Sequence, residues 1–158
     1  MPSKYPYNDN IYKKMKKSYK GIYRPQRPKK YIGNPNQVVY RSLLERRFMV
    51  YCDTSDSVTK WSSEELSIIY RNPIDKRIHR YFPDFIVQMN TGKKYMIEIK
   101  PSRQTKPPKT PKKKTKAFMR ESFEYIKNTA KWGAAKIYCE DNDLEFKLIT
   151  EKDLGVYS

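Results

Sequence analysis

Pro83-Asp84 and, after thirteen intervening residues, Glu98-Ile99-Lys100 are the residues whose types and spacing suit hydrolytic chemistry. In an extended strand side chains alternate, so Glu98 and Lys100 share one face while Ile97 and Ile99 share the other. A carboxylate and an ammonium then stand side by side. Asn90-Thr91-Gly92 reads as a three-residue hairpin loop with Gly92 left-handed, a type I turn with a G1 bulge. That turn pairs Met89 with Lys93 and brings Asp84 opposite Glu98. A two-residue turn would pair Asn90 with Lys93 and set Asp84 opposite Ile99, on the wrong face.

Two carboxylates converging beside a lysine on a sheet bordered by apolar residues are costly unless something offsets their repulsion, and a divalent cation does so. All-oxygen ligands favour Mg²⁺ or Mn²⁺, which binds a few carboxylates and keeps water and phosphate oxygens around it. Such an ion lowers the pKa of a bound water and stabilises negative charge developing on a scissile phosphate, while Lys100 orients or activates the nucleophile. Pro83 holds Phe82 extended and offers no N–H, which suits a strand edge or bend next to a site. The bland alternative makes Asp84 and Glu98 exposed strand residues that pair with some of the 34 basic side chains.

These residues need elements to hold them. Asn36 is a candidate N-cap for a helix over 37–52, in which Tyr40, Leu44, Phe48 and Tyr51 form an apolar stripe and Glu45 lies on its border, facing along a sheet edge. Trp61 to Tyr70 carries Leu66, Ile68 and Tyr70 at period two, a half-buried strand that Asn72-Pro73-Ile74-Asp75 ends. Strands follow over 79–89 and 93–100. The stretch 101–116, with four prolines and no other apolar residue, is a surface loop. A second helix runs from about 116 to 140, its buried stripe drawn from Phe118, Phe123, Ile126, Ala130, Trp132, Ala134, Ile137 and Tyr138. Glu145 to Thr150 alternates as a last strand. The order α-β-β-β-α-β predicts an α/β sandwich with a central mixed sheet flanked by helices. Residues 1–36 are an extended basic arm rich in tyrosine and proline, lying on a partner or on the domain, and 37–158 are the single folded domain.

Charge is distributed unevenly. The chain of 158 residues carries 34 Lys and Arg against 17 Asp and Glu, a formal charge of +17. Residues 1–36 hold ten Lys/Arg against Asp9 alone, and 101–116 hold seven against no acid. Such blocks suit a polyanion, because neutralising phosphates releases condensed counterions, and DNA is the partner they imply. A solvated tail is the bland reading. Mean hydropathy is −0.95, yet 14% aromatic residues supply material for a core. Cys52 and Cys139 lie far apart without metal-ligand spacing, so neither a zinc site nor a disulfide framework is expected, and both are read as reduced, half-buried helix residues. No run is apolar enough for a membrane span. No zinc finger or helix-turn-helix signature is evident, so sequence-specific DNA reading is not expected.

Phe82-Pro83-Asp84-Phe85 with Ile97-Glu98-Ile99-Lys100 resembles the PD-(D/E)xK nuclease superfamily of restriction-endonuclease-like folds. A closer resemblance, to the head-completion nucleases of T-even-like tailed phages, rests on Tyr40 to Met49, His79 to Phe85, Glu98-Ile99-Lys100-Pro101 and Ala130-Lys131-Trp132. Gly21 to Pro25 and Gly33-Asn34-Pro35 extend it to roughly residues 20–154. The endonuclease subunit of heteromeric transposases is a more distant likeness. The resemblance implies a Mg²⁺-dependent endo- and exonuclease that processes packaged DNA so that filled heads join tails. It implies phage head and neck proteins as partners, and work in the host cytoplasm during assembly or within the virion. Carried over by residue, Asp84 and Glu98 are metal ligands together with the Ile99 carbonyl, Lys100 is the catalytic lysine, and Glu45 is the helix carboxylate completing the site.

Other assignments stay open at this level. Glu45 also suits an ion pair with Arg41 or an i,i+4 contact with Met49. His79, the one histidine, and Arg80 suit phosphate contact or a structural role. Lys131 reaches the site or a phosphate, and Trp132 is a core residue or a stacking platform. Arg103, Lys106, Lys112, Lys113 and Lys114 are candidates for DNA contact, and the arm tyrosines suit base stacking or docking on protein. A structural head–neck protein that grips DNA with a nuclease-like fold is the competing function, although acids facing a DNA backbone would repel it.

Overall fold

A computed structural model describes residues 20–155; the first nineteen residues of the expected basic arm, with most of its tyrosines, lie outside the described residues. In chain order the elements are β1 (Gly21–Tyr23), β2 (Val38–Tyr40), α1 (Leu43–Thr54), β3 (Val58–Ser63), β4 (Ile68–Arg71), β5 (Ile78–Tyr81), β6 (Phe85–Met89), β7 (Lys94–Ile99), α2 (Lys116–Asp141), β8 (Glu145–Ile149) and α3 (Glu151–Leu154). The central sheet has the order β3-β6-β7-β8. Its first three strands are antiparallel and β8 joins β7 in parallel, so the sheet is mixed, as expected. β1 with β2 and β4 with β5 form two separate ribbons.

The sheet separates two cores. Phe85, Val87, Ile97 and Ile99 project to one side, where they meet Phe48 and Met49 of α1 and Trp61. Met96 projects to the other, against Ile68, Tyr70 and Tyr81 of the β4–β5 ribbon and Ala135 and Cys139 of α2. The period-two alternation along β6 and β7 therefore sorts residues between α1 and α2. No helix among the described residues is long and apolar enough to cross a membrane.

The hairpin register is the three-residue one. Phe85 pairs with Ile97 and Gln88 with Lys94, Met89 N–H donates to the Lys93 carbonyl at 2.8 Å and Gly92 N–H to the Met89 carbonyl at 3.0 Å. Gly92 takes φ +87°, which a residue without Cβ adopts freely.

Several sequence expectations give way to tertiary constraints. The first helix begins at Leu43, not 37: Ser42 is its N-cap, its Oγ accepting from Glu45 N–H at 3.1 Å. Val38-Val39-Tyr40 are withdrawn into β2 because β1 offers them a partner strand. The expected strand 61–70 is two strands, β3 and β4, separated where Glu64 turns to φ +54°. The expected strand 79–89 is likewise interrupted at Phe82-Pro83-Asp84, as a residue without an N–H inside a ladder requires. On α2 the buried residues are Asn128, Trp132, Ala135 and Cys139. Phe123, Ile126 and Ile137 of the expected stripe are exposed, because α2 has apolar residues on two opposite sides and the sheet covers one. Cys52 and Cys139 are free and fully buried rather than half-buried.

The boundary expected at residue 36 is also corrected, since residues 20–36 belong to the folded body. Tyr23 and Tyr31 are buried, with ring centroids 6.2 and 4.8 Å from that of Trp61 in edge-on geometry. Asp53, wholly buried at the end of α1, anchors this segment: its carboxylate accepts from Tyr23 O–H (2.7 Å), Gln26 N–H (2.7 Å) and Arg27 N–H (2.9 Å). Lys30 Nζ donates to the carbonyls of Asp53 (3.1 Å) and Ser55 (2.7 Å), closing the helix end. Asp53→Ala leaves a buried hydroxyl and two amides without their acceptor, so a loss of roughly 3 kcal/mol is expected in urea unfolding. A loss below about 1 kcal/mol would show that the aromatic contacts hold the segment alone.

Candidate active site

Asp84 follows the break before β6, and Glu98 and Lys100 lie at the end of β7. Extending the β6–β7 register by one step sets Asp84 opposite Glu98. Both lie on the side of the sheet that faces α2 and the β4–β5 ribbon, as Ile86 and Met96 do. Asp84 Oδ2 accepts from Ile99 N–H at 2.8 Å, so its carboxylate takes a ladder position beyond the last paired strand residues. Glu98, only 4% exposed, accepts through Oε2 a hydrogen bond from Tyr81 O–H. Lys100 Nζ is 3.7 Å from Glu98 Oε1. One oxygen of each carboxylate is thus fixed by a protein donor, which leaves lone pairs on the other, Asp84 Oδ1 and Glu98 Oε1, for a cation.

Burial raises the Asp84 carboxyl well above the ordinary carboxylate range, with further increments from the negative charges of Glu98 and Glu45. Burial also raises Glu98, against the Tyr81 hydrogen bond, the charge of Lys100 and the Asp84 backbone N–H, all of which favour its ionised form. Desolvation and like-charge repulsion thus make the pair proton-hungry.

Glu45 stands in the first turn of α1. Its Oε2 accepts from Arg41 N–H at 2.9 Å, and it lies close enough to Lys100 and Asp84 for their charges to act on one another. Burial raises its carboxyl too. Among the described residues no three Asp, Glu, His or Cys side chains gather as a metal-ligand cluster. The acidic pair and Glu45 are therefore neighbours rather than one preformed cage. The donors that are present, the buried Glu98 and half-buried Asp84 carboxylates with lone pairs to spare, fit an oxygen-seeking ion that retains waters.

Three neighbours of the site, Tyr81, Glu64 and Arg41, are not marked for it by the sequence. In an unbroken strand a residue three positions from Asp84 points to the opposite face, and only the interruption at Phe82-Pro83 brings the Tyr81 hydroxyl to Glu98. The signal for it is Pro83. Glu64, at φ +54°, donates its N–H to the Asp84 carbonyl at 3.1 Å, and its carboxylate grips the Arg41 guanidinium at 2.8 and 3.2 Å. No sequence pattern marks that bidentate pair, which joins the turn before α1 to the end of β3.

The remaining candidates are dispersed. Lys131 on α2 is half-buried, its Nζ 5.6 and 5.7 Å from the ring centroids of Tyr81 and Tyr70, so it borders the site from the helix side. Burial, with Lys127 and Lys100 nearby, lowers its pKa. Trp132 is buried in the core and offers no stacking face. His79 Nε2 lies 2.6 Å from Asp75 Oδ2, with its ring 5.9 Å from Tyr70, a local tie within the β4–β5 ribbon. Arg80 is exposed on the same ribbon. Arg103, Lys106, Lys112, Lys113 and Lys114 are all exposed on the loop after Lys100. That loop starts at the site, where Ser102 N–H and Oγ bond Glu151 at 2.8 and 2.6 Å.

A mixed sheet between helices, with an acidic pair and a lysine at the ends of two adjacent strands, defines the restriction-endonuclease-like class. A family model described as TnsA-like endonuclease N terminal matches residues 55–151. The protein named Head completion nuclease of Enterobacteria phage T4 is 34% identical over 141 residues, spanning 87% of this chain and 94% of that protein. The chain belongs to the TnsA-like endonuclease family and is a relative of the head-completion nuclease of that phage.

Because Asp84 and Glu98 bind protons more tightly folded than unfolded, the metal-free protein is most stable with both protonated. It loses stability as pH rises from the unfolded carboxylate range through their raised folded values. Asp84→Asn, which removes the repulsion and keeps an acceptor for Ile99 N–H, should therefore raise Tm by a few degrees in EDTA at about pH 8. The difference should close toward about pH 4. A lower Tm for the variant at the alkaline end would contradict this account.

Proposed function

We propose that the chain is a Mg²⁺-dependent DNA nuclease, with Mn²⁺ able to substitute, that cuts or trims packaged DNA while phage heads are completed for tail joining. One observation carries the reading: Asp84 and Glu98 share a face, with Lys100 3.7 Å from Glu98, at the point where a loop of exposed basic residues leaves the sheet. The family membership supports the same chemistry. Head and neck proteins as partners, and action in the infected host cell, follow from the likeness to the phage protein.

Asp84 Oδ1, Glu98 Oε1 and the Ile99 carbonyl would hold the ion, and Glu45 would complete its surroundings. When bound, the ion supplies an acidified water and charge stabilisation at the scissile phosphate. Ile99 N–H and Tyr81 O–H keep the carboxylates from rotating, so the outer oxygens stay aimed at one place. Lys100 balances the acidic pair and presents an ammonium to the nucleophile or to a phosphate oxygen. Lys131 adds a second cation from the helix side. The exposed lysines of the loop after Lys100 would lie along the DNA backbone and place it without reading sequence.

Plasmid DNA with Mg²⁺ should be cut by the wild-type protein and left intact by Asp84→Ala and Lys100→Ala. Equal traces from all three would point to a contaminating enzyme and favour a protein that only grips DNA. Tyr81→Phe keeps the ring and removes the donor, and should weaken the Mg²⁺ requirement curve by roughly 10–100-fold while the fold stays intact. Replacing Lys112, Lys113 and Lys114 by Ala should lower the slope of log K against log salt for DNA binding by about 0.9 for each phosphate no longer neutralised. An unchanged slope would assign the loop to a protein partner.

A further inference from the structure

The 26 residues of α2 form one helix whose sheet-facing side carries Asn128, Trp132, Ala135 and Cys139. At 3.6 residues per turn, the opposite side, about 180° away, holds a second apolar series with heptad spacing. Met119, Phe123, Ile126 and Ile137 are 43%, 46%, 43% and 63% exposed. The two intervening heptad positions are Ala130, half-buried, and Gly133, which is exposed and has no heavy atom within 4 Å of where a Cβ would stand. Ala130 touches the second core at the edge of the seam, and the other apolar members stand in water, an exposed patch of the kind that marks an interaction surface.

We infer that this seam pairs with the same seam of a second copy, the two α2 helices running antiparallel about a two-fold axis near residue 128. The series is complementary to its own reverse. In that register Phe123 falls opposite the partner's Gly133, Ile126 opposite the partner's Ala130, and Met119 opposite the partner's Ile137. Each bulky side chain thus meets a smaller or unbranched neighbour, as interdigitation of two helix surfaces requires. One step outward the same register sets Lys116 opposite the partner's Glu140, and the two-fold axis repeats the pair at the other end. Lys116 and Glu140 are both exposed, and neither has an ion pair among the described residues. A parallel arrangement would instead stack Phe123 on Phe123 and oppose Lys116 to Lys116.

Electrostatics also singles out this helix. The whole chain carries +17, so two copies repel over most of their surfaces. α2 holds five Lys and Arg (116, 120, 127, 131, 136) and four acids (121, 124, 140, 141), a net charge of +1. It is a face on which a second copy can approach closely. The seam lies away from the side that carries Lys131, so pairing leaves the acidic site open.

Sedimentation equilibrium of the full chain across the micromolar range should give a species of twice 19.0 kDa, and Ile137→Glu should return it to monomer without change in the circular dichroism spectrum. Lys116→Glu should weaken association at least several-fold, and Lys116→Glu with Glu140→Lys should restore it. Oxidised Phe123→Cys and Gly133→Cys proteins should cross-link only when mixed. In the antiparallel register like positions stand about 15 Å apart, beyond the reach of a disulfide, and the native cysteines are buried. Monomeric wild-type protein, a dimer that Ile137→Glu leaves intact, or cross-linking of Phe123→Cys with itself would each overturn the proposal. None of these results depends on whether the protein cuts DNA.

Discussion

Two carboxylates held on one face of a sheet, one buried and one half-buried and close enough to repel, are the constraint around which this protein is arranged. Buried charge is tolerated only when donors and opposite charges reach it. Ile99 N–H, Tyr81 O–H and the Lys100 ammonium provide that for Asp84 and Glu98, and they do so incompletely, since both carboxyls remain raised. The residual instability is relieved by anything that brings a proton or positive charge to the pair. It also explains why irregular backbone collects here: the break at Phe82-Pro83 and the positive φ of Glu64 flank Asp84 on both sides, as strained geometry often does at a functional site.

Around this pair the fold works as a set of clamps. The Arg41–Glu64 pair joins the start of α1 to the end of β3, and Glu45 bonds back to the Arg41 amide. Ser102 and Glu151 tie the beginning of the basic loop to α3. Farther away, Asp53 fastens residues 20–36 over Trp61, so a segment whose composition resembles a free arm becomes a wall of the core. Apart from the local Glu45–Arg41 bond, each clamp joins residues distant in sequence, so the site is positioned by two cores and not by one strand pair alone.

α2 illustrates how one helix serves two surfaces. Its buried side closes the second core and brings Lys131 to the site, while Phe123, Ile126 and Ile137 face outward. Its 3.6-residue periodicity admits two apolar stripes at once, and sequence alone does not say which of them the sheet will cover. Without that knowledge the two stripes merge into one expected buried face.

By itself the sequence determined the local, periodic and turn-encoded features. Gly92 pointed to a three-residue turn rather than the two-residue alternative, the structure adopts it, and the period of two then puts Asp84 and Glu98 on one face. The long helix began at about residue 116, where the proline-rich stretch stopped. The motifs around Phe82-Pro83-Asp84 and Glu98-Ile99-Lys100 were legible as a family signature, and the α/β class followed from the order of elements. Tertiary structure decided what no local pattern encodes. Val38 to Tyr40 became a strand because β1 lay beside them, Tyr81 reached Glu98 because Pro83 broke the strand, Glu64 and Arg41 met across the end of β3, and Asp53 drew the arm into the core. A side chain's alternation is a property of its own backbone, whereas its partner is a property of which distant segment the two hydrophobic cores bring alongside.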